Sequence, residues 1–346
     1  MATVDVTVRG AGAFGLAVGY ACARRGAKVR VIDPNGVAAG SSGGIVGALA
    51  PHVPDTWNDK KAFQFESLMM AETFWQDVSE IARQDVGYAR SGRLQPLVDA
   101  AAITFARQRI ETAKDLWQGR AIWRVIKTPE NEPWTPHSPT GLLIHDTLTA
   151  RIHPRRATRA LAAAIVALGG EIATDGPDEG AVVWATGWQG LIEMTAQHTR
   201  LVGNGVKGQA ALLQFDARDL PQLFADALHI VPHGDGTVAI GSTSERYFTD
   251  PTSTDEQLDD IIVRALAAFP VLANAPVIER WAGVRPRART RSPMIGMHPF
   301  RAGQYVANGG FKIGFGMAPK VGEVMADLIL DGRDAIPEGF HPQANL

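Results

Sequence analysis

The sequence predicts an α/β fold, because segments typical of strands and of helices alternate from its first residues onwards. Apolar and polar residues alternate over 4–8, which is typical of a strand. A glycine-containing turn and an apolar helix ending near Arg25 follow. A second apolar segment begins at Val29 and ends at Asp33, which predicts another strand. This order indicates a β-α-β unit with parallel strands.

The rest of the chain continues this mixed pattern. Apolar residues at helical spacing predict further helices at 63–82, 101–117, 154–168, 258–269 and 319–330. Strands are expected at 181–186, 208–215, 229–232, 237–241 and 305–308. The segment 123–139 contains four prolines and is expected to be irregular.

Composition excludes several classes of protein. The chain has 346 residues, of which 45% are hydrophobic and 20% charged, which is typical of a globular enzyme. A net charge of −2 gives no general indication of nucleic-acid binding. The single cysteine, Cys22, rules out an intramolecular disulfide, and no apolar run reaches the roughly 20 residues of a membrane span. The alternating N-terminal segment also differs from a signal peptide, so we expect the cytoplasm.

The first turn carries the spacing of a dinucleotide-binding motif. Gly10, Gly12 and Gly15 follow a predicted strand and open a predicted helix. The first two glycines allow a tight turn and close approach of a pyrophosphate, and the third allows close helix packing. Asp33 ends the second strand 18 residues after Gly15. Its carboxylate would accept a hydrogen bond from a ribose hydroxyl and repel a 2′-phosphate. The pattern predicts a Rossmann-like domain.

A second loop favours FAD over NAD. Ser41 and Ser42 lie in a glycine-rich segment that leads into the apolar residues Gly47, Ala48 and Leu49. Small residues and hydroxyls allow a chain to lie against a long extended cofactor and to donate hydrogen bonds to its phosphate and ribityl groups.

Taken together, these motifs resemble the D-amino-acid oxidase and glycine oxidase superfamily of FAD-dependent oxidoreductases over nearly the whole chain. Five groups of segments occur in the order of that superfamily and with similar spacing. They are Ser41-Ser42 with Gly47-Ala48-Leu49; Ala185-Thr186-Gly187; Val231-Pro232 through Gly241-Ser242-Thr243; Trp281-Ala282-Gly283-Val284-Arg285-Pro286; and Gly309-Gly310-Phe311-Lys312-Ile313-Gly314.

The resemblance implies a Rossmann-like FAD-binding domain with an inserted antiparallel-sheet substrate domain. The FAD-binding domain would be discontinuous and consist of 1–50, 150–205 and 285–346. The substrate-binding domain would consist of 51–149 and 206–284. The segment between Glu171 and Ala181 is shorter than the family's three-stranded meander, so no residue in it is assigned to the family's usual contact with the adenine.

The resemblance also implies oxidation of the C–N bond of a small amino acid or secondary amine, by hydride transfer to flavin N5. Arg285 would hold the substrate carboxylate, because a guanidinium binds a carboxylate through two parallel hydrogen bonds. Lys312 replaces a second arginine of the glycine oxidases. Lysine keeps the positive charge but lacks the planar guanidinium that donates two parallel hydrogen bonds. His229 occupies the position of a pocket tyrosine. Oxygen or another, unidentified compound would be the electron acceptor.

The remaining expected site residues contact the cofactor. They are Gly10, Gly12, Ala13, Phe14, Gly15, Asp33, Pro34, Ser41, Ser42, Gly47, Ala48, Leu49, Ala185, Thr186, Gly187, Gly310, Phe311, Lys312, Ile313, Gly314 and Phe315. Non-covalent FAD is expected, because Cys22 lies by the ADP half, although His52 is not excluded as an attachment point. No metal-binding spacing of Cys and His occurs.

Three alternatives stay open. Arg287, Arg289 and Arg291 alternate after Arg285, and the stretch resembles the flavin oxidase module of a bifunctional enzyme that modifies tRNA wobble uridine by acting on an N-substituted glycine. Nucleic-acid binding is nevertheless disfavoured by the weakly acidic net charge. The chain could also bind FAD without amine turnover, or use NAD through the first β-α-β unit alone.

Overall fold

The structure is a computed structural model that describes residues 4–346. Its strands are β1 Val6–Arg9, β2 Val29–Ile32, β3 Ala48–Leu49, β4 Arg93–Pro96, β5 Trp123–Lys127, β6 Leu142–Asp146, β7 Ala150–Arg151, β8 Glu171–Ala173, β9 Ala181–Trp184, β10 Gly203–Gln214, β11 Gln222–Ala225, β12 Leu228–Pro232, β13 Thr237–Gly241, β14 Val277–Ala288, β15 Met294–Met297 and β16 Tyr305–Asn308. The helices are α1 Ala13–Arg24, α2 Asp59–Ala82, α3 Ala100–Leu116, α4 Pro154–Ala167, α5 Gly187–Ala196, α6 Glu256–Ala268 and α7 Gly314–Asp331.

A six-stranded sheet contains the predicted β-α-β unit. Its strand order is β15-β16-β9-β1-β2-β8, and all neighbours are parallel except β15 and β16. Helices α1, α4 and α7 pack against this sheet through a common apolar core. The carboxyl ends of its parallel strands lie at one edge, which brings together Gly10, Asp33, Ala185 and Gly309, the residues that follow β1, β2, β9 and β16.

An eight-stranded sheet forms the second layer of strands. Its order is β14-β10-β13-β12-β11-β4-β6-β5, and every pair is antiparallel except β11 with β4. It takes strands from 93–146 and from 203–288, and α6 packs on β10, β12 and β13. The predicted fold class, a Rossmann-like part with an antiparallel-sheet part, is therefore confirmed. The residue boundaries proposed for the two domains stay a prediction.

Strand β5 and helix α7 are among the elements that differ from the sequence prediction. Trp123–Lys127, expected to be irregular, forms the edge strand β5. Burial explains this strand, since the Trp123 side chain is 2% exposed and its Nε1 donates to the Ala106 carbonyl at 3.0 Å. Helix α7 begins at Gly314 rather than Pro319, so the proline lies inside the helix and the glycine-rich loop leads directly into the helix N-terminus.

None of the helices described for residues 4–346 is both long enough and apolar enough to cross a membrane. Within the same residues, no group of three or more His, Cys, Asp or Glu side chains is arranged to hold a metal ion.

The buried pair of Arg93 and Asp146 in the eight-stranded sheet leads to a stability prediction. Asp146 is fully buried, and its carboxylate accepts hydrogen bonds from Arg93 Nε at 3.0 Å and from the Thr149 amide at 2.8 Å. Asp146→Ala would leave the guanidinium buried without its partner, which costs about 3–5 kcal/mol. Urea unfolding of the FAD-bound protein should show a loss of this size.

The matched control is Glu111→Ala, which removes the acidic partner of Lys114 from an exposed pair on α3. Exposed pairs contribute roughly 0–1 kcal/mol, so this variant should unfold near the wild-type urea concentration. Equal losses for the two variants would contradict the importance of burial at Asp146.

Candidate functional site

A cavity of about 750 Å³ runs along the carboxyl edge of the parallel sheet and reaches the eight-stranded sheet. This volume is within the range of ligand and cofactor sites in proteins. Most of the predicted site residues line it: Gly10, Gly12, Ala13, Phe14, Asp33, Pro34, Ser41, Ser42, Gly47, Ala48, Ala185, Thr186, Gly187, Arg285, Gly310, Phe311, Lys312, Ile313, Gly314 and Phe315. Three predicted residues, Gly15, Leu49 and His229, are not part of the lining.

The glycine turn leaves no space for side chains. Gly10 has a φ of +114°, and a methyl group on it would lie 2.3 Å from the carbonyl oxygen of Ala185. A methyl group on Gly15 would lie 2.0 Å from the Gly10 carbonyl oxygen, which explains why Gly15 is buried beneath the turn rather than in the cavity wall. No side chain of these glycines therefore separates the N-terminus of α1 from the cavity, and helix N-termini favour phosphate groups.

Two side chains fix this turn. The Ser42 hydroxyl accepts a hydrogen bond from the Ala13 amide at 2.9 Å, which joins the second loop to the first turn of α1. The Asp33 carboxylate accepts from the amides of Ala11 at 2.9 Å and Asn35 at 3.0 Å. Each carboxylate oxygen has a second lone pair, so Asp33 retains the capacity to accept from a ribose hydroxyl.

Arg9, which ends β1 at a position where an apolar residue is usual, also lines the cavity. Its Nε lies 2.7 Å from a carboxylate oxygen of Asp178, and its Nη2 donates to the Gly176 carbonyl at 2.8 Å. Arg9 thus holds the short connection between β8 and β9 against the cavity.

The second loop is held close to α4 and β14. A methyl group on Gly47 would lie 1.7 Å from the carbonyl oxygen of Ile152, so only glycine fits there. Arg155 donates to the Gly43 carbonyl at 2.6 Å and pairs with Glu279 of β14. Leu49, buried to 1% exposure, anchors the loop in the core instead of lining the cavity.

Arg285 and Lys312 form the cationic end of the cavity. Arg285 lies on β14, deep in the protein, and donates to the Ser242 hydroxyl at 2.6 Å and to the Thr243 carbonyl at 3.3 Å. Burial lowers the pKa of Arg285 to about 10. Burial and the neighbouring Arg285 charge both lower the pKa of Lys312. Among residues 4–346, neither cation forms an ion pair with a carboxylate, although Glu245 is near enough to raise the pKa of Arg285.

His229 lies on β12 beside this end of the cavity but not in its wall. Its ring contacts the Phe224 ring, with 4.6 Å between centroids, and its Nδ1 is buried with no hydrogen-bond partner in the described chain. Burial, together with the charges of Arg93, Lys312 and Arg285, lowers the pKa of His229 to about 3. The imidazole is therefore neutral at physiological pH and adds no positive charge to the cavity.

The position of Arg285 depends on residues that sequence reasoning missed. A methyl group on Gly208 would lie 2.0 Å from both Nη1 and Nη2 of Arg285, so the guanidinium rests directly on the backbone of β10. Behind it, Gln209 and Glu245 are hydrogen-bonded at 3.1 Å, and Glu245 pairs with Lys207 at 3.7 Å. In the sequence, the only signal near these residues is the motif that ends in Thr243, and this motif does not reveal that Arg285 packs on Gly208.

The arginines that follow Arg285 do not form one free basic face. Arg287 lies 5.9 Å from the Phe311 ring centroid, next to the cavity. Arg289 donates to the carbonyls of Ala344, Asn345 and Leu346, each at 3.0 Å. Arg291 lies beyond the end of β14 at Ala288, and its carbonyl accepts from Lys60.

These features fit FAD. The glycine turn leaves room for a pyrophosphate at the N-terminus of α1, and Asp33 suits the adjoining ribose. The loop around Gly310 and the N-terminus of α7 form the wall at the other end, beside Arg285.

Comparison with known proteins agrees with this assignment. The family model described as "FAD dependent oxidoreductase" matches residues 5–328. The chain is 25% identical to the glycine oxidase of Bacillus licheniformis over an alignment of 363 positions including gaps, which covers 94% of this chain and 93% of that protein. It is 34% identical to the glycine oxidase of Pseudomonas aeruginosa over 144 residues, which cover 41% of this chain and 39% of that protein.

A solved structure supports the fold. The crystal structure of glycine oxidase from Geobacillus kaustophilus superimposes with a TM-score of 0.84 at 20% identity, covering 97% of each chain. With a family match that spans nearly the whole chain and a cavity suited to the cofactor, this chain belongs to the D-amino-acid oxidase and glycine oxidase superfamily of FAD-dependent oxidoreductases.

Proposed function

We propose that this enzyme oxidises the C–N bond of a small amino acid or secondary amine that carries a carboxylate. The observation that supports this most directly is the pair of cations, Arg285 and Lys312, in the wall of the cavity without a carboxylate partner among the described residues. The argument applies to Arg285, because burial removes its guanidinium from water and charged groups inside a protein are normally paired; Lys312 is solvent-exposed and adds positive charge at the mouth of the same region. A substrate carboxylate would provide the missing partner. The glycine oxidases that the chain resembles support the same class of substrate.

Arg285 would bind the carboxylate, and Phe311 and Lys312 would form the neighbouring wall. The guanidinium already has a fixed orientation, because it rests on Gly208 and donates to Ser242 at 2.6 Å. A guanidinium held in this way binds a planar carboxylate through two parallel bonds and thereby orients the adjoining carbon.

The same charges favour the reactive form of the substrate. Positive charges close to an ammonium group lower its pKa, so Arg285 and Lys312 would favour the neutral amine. Loss of a hydride from the carbon next to a neutral amine leaves an iminium ion, which water hydrolyses to a carbonyl compound and an amine. When bound, FAD supplies the hydride acceptor at N5. This scheme requires no protein base, and we assign none.

Several finer points are part of the proposal. We infer that FAD is bound non-covalently, since Cys22 is buried in α1 and burial raises its pKa to about 12. Oxygen or another acceptor would reoxidise the flavin, and the cytoplasm is the proposed location. The tRNA-modifying alternative stays a prediction; Arg289, bound to the last carbonyls of the chain, does not favour it.

The first prediction from this proposal concerns flavin reduction. Under anaerobic conditions, glycine, sarcosine, D-amino acids or related amines should bleach the flavin absorbance of the purified protein. Arg285→Lys should lower kcat/KM about 10- to 100-fold, because lysine loses the two-bond geometry. Arg280→Lys is the matched control, since Arg280 lies on the same strand and pairs with Asp259 at the surface. A flavin that no carboxylate-bearing amine reduces would refute the proposal.

A second prediction concerns Gly208. A methyl group here would displace the guanidinium of Arg285 and not the backbone, because the contact is with the end of a flexible side chain. Gly208→Ala should therefore fold and bind FAD but raise KM at least tenfold. Gly339→Ala is the control, since no atom lies within 4 Å of its added methyl group. An unchanged KM in folded Gly208→Ala would show that Arg285 does not hold the substrate.

A third prediction concerns cofactor attachment. Acid precipitation should release all FAD into the supernatant and leave a colourless protein pellet. A yellow, fluorescent pellet would demonstrate a covalent bond, and His52→Ala would then test whether His52 is the attachment point.

A further inference from the structure

Three side chains lie side by side across the carboxyl edge of the parallel sheet. Arg9 of β1 is in register with Ile32 of β2 on one side and with Trp184 of β9 on the other. Residues in register on parallel strands point to the same face of the sheet, and all three line the cavity. Neighbouring strands are about 4.8 Å apart, so the three residues span about 10 Å. We refer to them as the edge row.

The chain segment that covers this face of the sheet is short. Residues 174–180 connect β8 to β9 and pass over β2 and β1, because the strand order is β9-β1-β2-β8. Arg9 holds the connection through Asp178 and Gly176, and a methyl group on Gly176 would lie 3.3 Å from the Ile32 side chain. None of the described residues 174–180 lies in the cavity wall. The edge row itself therefore forms the wall here.

The two polar members of the edge row have fixed orientations. Trp184 Nε1 donates to Gln304 Oε1 at 2.7 Å, and Arg301 lies over the indole, with its Cζ 3.9 Å from the ring centroid. Arg301 is not part of the cavity wall, so it covers the ring from the side away from the cavity. The Arg9 charge is balanced by Asp178 at 2.7 Å. The row thus presents a guanidinium plane and an indole to the cavity.

Flat groups of this kind bind nucleobases. Purine rings stack on aromatic side chains and on the guanidinium plane of arginine. The edge row adjoins Asp33, whose carboxylate suits the ribose of the cofactor, and it lies at the opposite end of the cavity from Arg285. In FAD, the adenine is attached to that same ribose. The base is therefore the part of the cofactor that is expected to reach these side chains.

We propose that Arg9 and Trp184 bind the adenine of FAD by stacking, with Ile32 as an apolar neighbour. Side chains of the strands themselves would thus hold the base at a place where the connection 174–180 contributes nothing to the wall. This assignment concerns cofactor binding alone and is independent of the amine that the enzyme oxidises.

The experiment compares two cofactor forms that differ by the adenylate half. The full-length protein is freed of its flavin and titrated calorimetrically with FAD and with FMN, which has the flavin and one phosphate but no adenine. Trp184→Leu should raise the Kd for FAD about 5- to 100-fold, because stacking of one base on an aromatic ring contributes this much. The Kd for FMN should not change.

Two conservative variants separate stacking from other roles. Trp184→Phe retains a flat ring and should recover most of the FAD affinity that Trp184→Leu loses. Arg9→Lys retains a positive charge beside Asp178 but lacks the guanidinium plane, so it should weaken binding of FAD and not of FMN.

Matched controls come from the same residue types away from the cavity. Trp134 stacks on Phe215 in the second sheet, and Arg24 pairs with Asp77 at the surface of α1. Trp134→Leu and Arg24→Lys should leave the ratio of the two dissociation constants at its wild-type value. A change of that ratio in Trp134→Leu as large as in Trp184→Leu would show that loss of a buried tryptophan, and not of an adenine contact, weakens binding.

A second readout follows the adenine itself in the flavin-loaded enzyme. The protein is loaded with FAD whose adenine carries an etheno bridge, which makes the base fluorescent, and contact with an indole quenches this emission. The emission should be weaker in the wild type and in Trp134→Leu than in Trp184→Leu. Equal emission in all three would overturn the assignment, as would unchanged FAD affinity in Trp184→Leu or equal losses for FAD and FMN.

Discussion

The close approach of backbone to backbone at Gly10 is the constraint on which the rest of the site depends. Strands β1 and β9 are neighbours, so the residues that follow them meet at one edge of the sheet. A side chain at Gly10 would collide with the Ala185 carbonyl, and one at Gly15 would collide with Gly10 itself. Only this packing places the first turn of α1 where the Ser42 hydroxyl can accept a hydrogen bond from the Ala13 amide. The second loop is therefore held by the glycine turn.

The cofactor half of the site was largely predictable from sequence, since its signals are local. Three glycines at fixed spacing between a strand and a helix, followed by Asp33, have few other physical explanations. The loop at Ser42 could be recognised as a cofactor segment, but its hydrogen bond to Ala13 could not, because that bond depends on how two loops fold against each other. Arg9 is similar: its partner Asp178 is 169 residues away along the chain.

The substrate half was less predictable, because its determinants are contacts across a sheet. Arg285 could be selected from its motif, but the requirement for glycine at 208 arises only when β10 and β14 pair. The sequence suggests His229 as a pocket residue, but in the structure its ring packs against that of Phe224 and lies outside the cavity wall. The strand Trp123–Lys127 was also missed, because the prolines that follow it predict an irregular segment. Its formation depends on the buried side chain of Trp123, which contacts Ala106 in another part of the chain.

The cavity wall takes residues from almost the whole length of the chain, from Arg9 to Phe315 of 346 residues. This has a consequence for biosynthesis. During translation, the glycine turn emerges from the ribosome long before β14 and the loop at Lys312 exist. A nascent chain can offer the phosphate end of the site early, but it cannot enclose the flavin until the last helix has been made. Insertion of the cofactor into the full cavity therefore requires synthesis of the chain at least as far as Phe315.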